Sequence, residues 1–353
     1  MPIDLQSFLK KMISASGLSG HESPIRELIR ETWAPLVDEV KVGGLGSLHA
    51  LRRGTAPEPR PSLFLAAHMD SIGMMVTGIQ DGFLRFTEIG GLDPRILPGQ
   101  IVTVHGRRDL PSLIVQPSRG LLPAIEQEKT VSMAHLFIDT GLLPREVARQ
   151  VRVGDLVSYA QPPIETAGET LTGHSLDNRA SVAVVTHFLD EIQNRPHAWD
   201  VWALASSQEE ETLGGALTSA FQLQPSLAIV IDVTFGSSPG SPSQRTFPLG
   251  QGPTLGWGPN IHPYLFKSFK ELAERLEIPF HVEVIPRNSG TDAIAIQVAR
   301  QGIPCLVVGI PLRYMHTPVE MVKLKDITRA GRLIAEFVAG LPVDFMEKIS
   351  WDD

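Results

Sequence analysis

The sequence predicts a mixed-sheet α/β sandwich with a small β-barrel-like unit inserted into it. Three observations predict this. After Asp177, stretches with helical periodicity alternate with short apolar runs, the texture of repeated strand and helix units. From about 72 to 164, short β-type runs are split at close intervals by Gly, Pro and Asp. The 353 residues also exceed what one hydrophobic core usually serves. Residues 1–70 and 166–353 are therefore assigned to one α/β domain and residues 71–165 to a β-rich insert.

The elements follow in chain order. Residues 5–12 and 23–34 carry apolar positions at helical spacing, with Ser23 as N-cap and Pro24 as first helical residue of the second stretch. Val37 to Leu51 alternates like a hairpin, and GTAPEPRP from 54 to 61 reads as a turn or linker. SLFLAAHMD opens a compact apolar run of the kind that fills a parallel sheet. Within the insert, MMVTGI, FLRFTEI, QIVTVHG, SLIVQ and DLVSYA read as strands, and PREVARQV as one helix. Beyond it come a helix in ASVAVVTHFLDEIQ, a strand in DVWALAS and a helix in ETLGGALTSAF. A strand in SLAIVIDV, a helix in HPYLFKSFKELAERL, a strand in PCLVVGI and a last helix in VKLKDITRAGRLIAEFVAGL complete the chain. FGSSPGSPSQ, 235–244, is expected to be a mobile loop.

Composition excludes several functions. With 31 basic against 39 acidic residues the net charge is −8, and no basic cluster exceeds a pair such as Arg107-Arg108, so nucleic acid is not an expected partner. Nor is a membrane, since no run of about 20 apolar residues occurs. The single cysteine, Cys305, lies in an apolar strand and reads as a buried, inert thiol. It fits a reducing compartment, and the N-terminal segment lacks the apolar stretch of an export signal. The expected location is the cytoplasm.

In open α/β sheets ligands bind beyond the carboxyl ends of the strands. Here each apolar run ends in a histidine or a carboxylate. SLFLAA is followed by His68 and Asp70, VWALASSQ by Glu209 and Glu210, LAIVI by Asp232 and PCLVVGIPLRYM by His316, while Asp177 opens the long helix. Together these are ligand types for zinc and similar divalent ions. Each has a plain alternative: a hydrogen-bonded core histidine, a solvated first turn for the glutamates, or an N-cap for Asp177. Asp232 resists the plain reading best, because a carboxylate at the end of a buried strand is costly without a positive partner. Asp70, two residues after His68 on an extended strand, faces the same way and can support its imidazole. The adjacent glutamates point in different directions, so one can ligate and the other can act as base.

These residues resemble the glutamyl and deblocking aminopeptidase family of dinuclear-metal peptidases. SGLSGHES, AAHMDSIGMMV, EIGGLDPRILPGQIV, HLFIDTGL, VRVGDLV, SLDNRASVAV, QEEETLGGA, IDVTFG, SGTDA and IPLRYMHTPVE occur in the family's order across nearly the whole chain. The resemblance implies a zinc-aminopeptidase-like phosphorylase/hydrolase fold, with a catalytic α/β domain and an inserted dimerisation domain. It implies that His68 and Asp232 hold one ion, that Glu210 and His316 hold the other, and that Asp177 bridges them. Glu209 would be the general base and Asp70 the support of His68. Two divalent ions per subunit are implied, zinc first, with cobalt or manganese as other candidates. The implied reaction removes N-terminal residues from short peptides, in dimer-based homo-oligomers up to a tetrahedral dodecamer.

The chain departs from the family pattern at Glu211 to Gly214, at His174, at Arg119 in place of a Pro-x-His motif, and at Gly43 and Ser47. No implied ligand is lost. Two other functions use the same residues: a metal-dependent deacylase or amidohydrolase of N-acylated small molecules, and a non-catalytic metal-stabilised scaffold. Glu209 counts against the scaffold. Substrate choice, metal identity and oligomeric state are not fixed by the sequence.

Overall fold

The computed structural model describes residues 3–122, 124 and 132–351, with only the backbone of Arg119. Helices α1 (Leu5–Ser14) and α2 (Ser23–Trp33) precede strands β1 (Glu39–Val42), β2 (Leu48–Arg52) and β3 (Ser62–His68). The barrel strands β4 (Gly73–Gln80), β5 (Phe83–Ile89), β6 (Ile101–His105), β7 (Asp109–Val115), β8 (Phe137–Asp139) and β9 (Leu156–Tyr159) follow, with α3 (Pro144–Gln150) between the last two. Then come β10 (Ile164–Thr166), β11 (Thr170–Gly173), α4 (Leu176–Ile192), β12 (Asp200–Ser206), α5 (Glu209–Thr212) and α6 (Gly214–Leu223). The chain continues through β13 (Leu227–Phe235), β14 (Thr254–Trp257), α7 (Pro263–Arg275), β15 (His281–Val284) and α8 (Ala293–Gln297). It closes with β16 (Cys305–Leu312), β17 (Glu320–Lys323), α9 (Leu324–Ala339) and α10 (Phe345–Lys348).

Eight strands form the main sheet in the order β1-β2-β12-β3-β13-β16-β14-β15. Its centre, β12-β3-β13-β16, is parallel, while β2 and β14 join antiparallel, so the sheet is mixed. The continuous apolar runs of the sequence fall at this centre. Every residue of β16 is buried, and both faces of such a strand need cover. Helices α4 and α9 pack on each other and on the sheet, and α6 and α8 pack on β12, β13 and β16.

Between β3 and β10, strands β4-β5-β8-β7-β6-β9 close a barrel. Closure removes the exposed edges that so short a sheet would otherwise present. Met74, Val76, Val102, Val104, Ile114, Ile138 and Val157 fill its interior, a core separate from that of the α/β body. The alternation in β7 makes the reason visible: Leu110, Ser112 and Ile114 point in, and their neighbours point out.

The structure corrects several local expectations. The cap of α2 is Glu22 rather than Ser23, and Glu22 turns its carboxylate to the backbone amides of Gly20 and Gln208 instead of the helix. The helix expected through ETLGGALTSAF is broken at Leu213, which sits at φ 56° and separates α5 from α6. The residues before Leu324 pair as β17 with β11 in a three-stranded sheet instead of starting the last helix. Strands β8, β14 and β15 carry too little apolar pattern to be marked by the sequence. The 235–244 loop is held by backbone pairing of Ser237 with Phe247 and by a Ser238–Ser241 turn.

Candidate metal centre

All seven sequence-predicted site residues meet at the carboxyl edge of the parallel strands, in a cavity of about 470 Å³ or directly behind it. His68 ends β3, and Asp232 lies within β13 two residues before Thr234. Glu209 and Glu210 open α5 after β12, just past Gln208 at φ 58°. Asp177 stands at the start of α4, where the chain is not yet helical, and the Asp177–Asn178 peptide bond is cis. His316 follows β16 at φ 60°.

The geometry is built around Asp177. One carboxylate oxygen, Oδ1, lies 3.3 Å from His68 Nε2 and the other, Oδ2, lies 3.4 Å from His316 Nε2. His68 Nε2 is also 3.8 Å from Asp232 Oδ1 and 3.7 Å from Glu209 Oε2, and His316 Nε2 is 3.5 Å from Glu210 Oε2. Two ligand atoms about 2.1 Å from one ion at a tetrahedral angle stand about 3.4 Å apart, so these spacings suit ions between them. His68, Glu209 and Asp232 offer ligand atoms within 4.8 Å of one another, as do His68, Asp177 and Glu210. His316 falls outside both groups, yet it lies as close to Asp177 as His68 does. Glu210 Oε1 is buried without a hydrogen-bond partner among the described residues, and a cation would supply one.

Both histidines are oriented by their second nitrogen. His316 Nδ1 lies 2.8 Å from the carbonyl of Gly91, on the barrel side, and donation to it leaves Nε2 free to ligate. His68 Nδ1 similarly meets the backbone carbonyl of Asp70 at 3.2 Å, while the Asp70 carboxylate is 3.5 Å away. Asp70 has further contacts. Its oxygens accept the backbone amides of Glu209 at 3.0 Å and Glu210 at 3.2 Å, so it also fixes the turn that presents the two glutamates.

Without a cation the cluster is electrostatically unfavourable. Burial pushes the carboxyls of Glu209, Glu210 and Asp232 well above the usual range, and neighbouring carboxylates push the same way. Burial likewise opposes the charged form of Asp177, but His316 and His68 override it and hold this carboxyl below its ordinary value. For His68, burial acts downward and is overcome by Glu209, Asp177, Asp70 and Asp232, leaving it well above the ordinary histidine value.

Several residues at the site carry no role in the sequence reading. Glu320 is buried and accepts the backbone amides of His316 at 2.9 Å and Asp177 at 3.1 Å, tying the segments that carry Asp177 and His316 together. Asp292, in the SGTDA segment, is buried, accepts from the Ser206 hydroxyl, and is pushed up to about 6 by burial. Arg179, wholly buried, donates to the carbonyls of Ala15 at 2.7 Å and Met69 at 3.3 Å beneath the site. Glu211, one of the departures, accepts the Gly90 amide at 2.6 Å and so links the glutamate turn to the barrel side. Only its place beside paired glutamates could have signalled it.

A family model described as M42 glutamyl aminopeptidase matches residues 46–333. The chain belongs to the M42 glutamyl aminopeptidase family. It is similar to a lysyl aminopeptidase of Pyrococcus furiosus, 33% identical over 348 residues that cover 96% of this chain and 98% of the relative. Among solved structures, a TET aminopeptidase from a marine sediment Thaumarchaeota archaeon superposes with a TM-score of 0.93 at 28% identity, covering 99% and 100% of the two chains. The TET1 peptidase of Pyrococcus horikoshii, described as assembling into a tetrahedron or a large octahedral shell, matches with a TM-score of 0.83 at 27% identity over 96% and 100%. This M42 chain is a hydrolase acting on peptides, and its fold is that of the TET aminopeptidases. No helix among the described residues is long and apolar enough to cross a membrane.

Proposed function

We propose that this chain removes N-terminal amino acids from short peptides at a centre of two divalent ions, with Glu209 as general base. The observation that carries this is the splitting of Asp177 between two histidines, Oδ1 toward His68 and Oδ2 toward His316. His68 and Asp232 would hold one ion, Glu210 and His316 the other, and Asp177 both. Zinc is the first candidate, with cobalt and manganese next, since nitrogen and carboxylate ligands suit all three. When bound, such ions polarise the scissile carbonyl and acidify the attacking water.

The remaining steps belong to the protein. Glu209 projects from the first turn of α5 into the cavity, with Oε2 near His68. In this reading it takes a proton from the attacking water and returns it to the leaving amine. Asp70 keeps Glu209 and Glu210 aimed through their backbone amides, and Gly91 and Asp70 set the histidine tautomers.

The fold resemblance to shell-forming TET peptidases supports a dimer-based homo-oligomer up to a tetrahedral dodecamer, with the barrel as dimerisation domain. Cytoplasmic residence is part of the same reading, supported by the buried free thiol of Cys305. The test is an aminoacyl-nitroanilide panel on chelated protein, repeated after adding back zinc, cobalt and manganese. Release of free amino acid restored by metal is expected. Metal-restored cleavage of N-acetylated substrates alone would replace this reading with the deacylase, and no hydrolysis with bound metal would leave the scaffold.

A further inference from the structure

The names of the relatives point to different side chains, lysine for one and glutamate for the family, so preference has to be read from the cavity wall. Beyond the ligand cluster the same cavity is lined by Thr234, Phe235, Glu283 and Ile294. Glu283 is the one carboxylate of that lining besides the candidate ligands and Glu209, and no Lys or Arg among the described residues lines it. Its placement depends on a gap in the sheet. Gly309 of β16 stands opposite Asp232 of β13 on one side and Thr254 of β14 on the other. A Cβ there would come within 2.2 Å of Thr254 Oγ1 and 3.1 Å of Glu283 Oε2. The missing side chain lets Glu283 reach from β15, the sheet's edge strand, over β14 and β16 to Thr234 of β13.

Two hydroxyls latch the carboxylate. Thr234 donates to Oε1 and Thr254 to Oε2, each at 2.7 Å. Thr234 lies two residues beyond Asp232 on the same sheet face, while Thr254 and Gly309 stand level with Asp232, so the carboxylate is held within about 7 Å along the strand of the candidate metal ligand. Hydroxyl partners leave the negative charge uncompensated, and among the described residues Glu283 has no ion-pair partner. Arg245 and Arg287 line a separate depression that shares Glu283 as a wall, without pairing to it.

We propose that Glu283 selects lysine and arginine as the N-terminal residue that this enzyme removes. A peptide whose first carbonyl sits at the ligand cluster extends its first side chain along Phe235 and Ile294, and a four-carbon stem spans the distance to the carboxylate. The threonine latches hold the acceptor rigid, so a cationic tip is fixed at little entropic cost. An acidic first residue would face Glu283 as a like charge and be rejected.

The inference rests on the aminopeptidase reading, and the test separates the two. The metal-loaded full chain is assayed on lysyl, arginyl, norleucyl, leucyl and glutamyl nitroanilides. In the wild type, kcat/KM for lysyl is expected to exceed that for norleucyl, its uncharged counterpart, by about tenfold or more, with glutamyl lowest. Glu283→Gln, which keeps an acceptor for a threonine, is expected to bring the lysyl-to-norleucyl ratio near one, and Glu283→Lys to raise glutamyl above lysyl. Equal lysyl and norleucyl rates in the wild type, or a uniform loss on all substrates in Glu283→Gln, would overturn the proposal while leaving the aminopeptidase intact. Hydrolysis of none of the five by the wild type would instead remove the reading beneath it.

Discussion

Replacing Asp70 by Asn tests how the glutamate turn is held. Asp70 is fully buried, and its two oxygens take the amides of Glu209 and Glu210. Asn keeps one acceptor and turns an NH2 group toward the other amide. One charge-assisted hydrogen bond, about 1.5–3 kcal/mol, is lost, and a buried amide without an acceptor costs about 1–3 kcal/mol in an overlapping term. The net loss expected for the metal-loaded protein is about 2–4 kcal/mol. In the metal-free protein Asp70 repels the carboxyls of Glu22, Glu210 and Asp292 but attracts His68 and Arg179, so removing its charge acts in both directions. Metal affinity is expected to fall about 10- to 100-fold, the range for a group that orients ligands without touching the ion. Denaturant melts with and without chelator, together with calorimetric zinc titration of the stripped protein, read both quantities. Wild-type stability in both forms and unchanged zinc affinity would refute the role given to Asp70.

Three other perturbations have defined outcomes. Glu320→Ala leaves the amides of Asp177 and His316 without their buried acceptor and is expected to cost about 2–5 kcal/mol, with weaker metal binding in the same titration. Zinc binding is expected to release protons and to tighten as pH rises, because Glu210 and Asp232 hold protons above the usual carboxyl range and must lose them to ligate; binding heats in buffers of different ionisation enthalpy count those protons. Burial, aided by Lys41, lowers His49 from 6.5 to about 4, so between those values the unfolded chain binds the proton and the folded chain does not. That contribution is complete above pH 6.5 and lost as pH falls to about 4, worth about 3 kcal/mol; His49→Gln is expected to flatten the melting temperature's dependence over that window.

Much of this site was legible because its chemistry follows local apolar runs. The central strands are buried on both faces and announce themselves as continuous apolar segments, so His68 and Asp232 stood out at or near their ends. What escaped depends on contacts between distant segments. Glu320 matters through amides 143 and 4 positions away, and no spacing rule links it to Asp177. Asp70 was placed by strand alternation beside His68, yet its carboxylate is captured by amides that arrive with the neighbouring strand β12. The break at Leu213 is followed directly by Gly214 and Gly215, yet the residue in the left-handed position is a leucine, which no turn pattern marks. The short strands β8 and β15, three and four residues long, gain their partners from closure of the barrel and from the edge of the sheet, which a linear pattern does not record.

The central claim is that Glu209 moves the proton during hydrolysis at a centre held by the other residues. The most direct test is the turnover rate of Glu209→Gln on a leucyl or lysyl nitroanilide, measured at saturating metal after confirming two bound ions per chain. Normal metal content with a kcat at least about 100-fold below wild type is expected, the range for a lost general base. Wild-type turnover by the fully loaded variant would contradict the account.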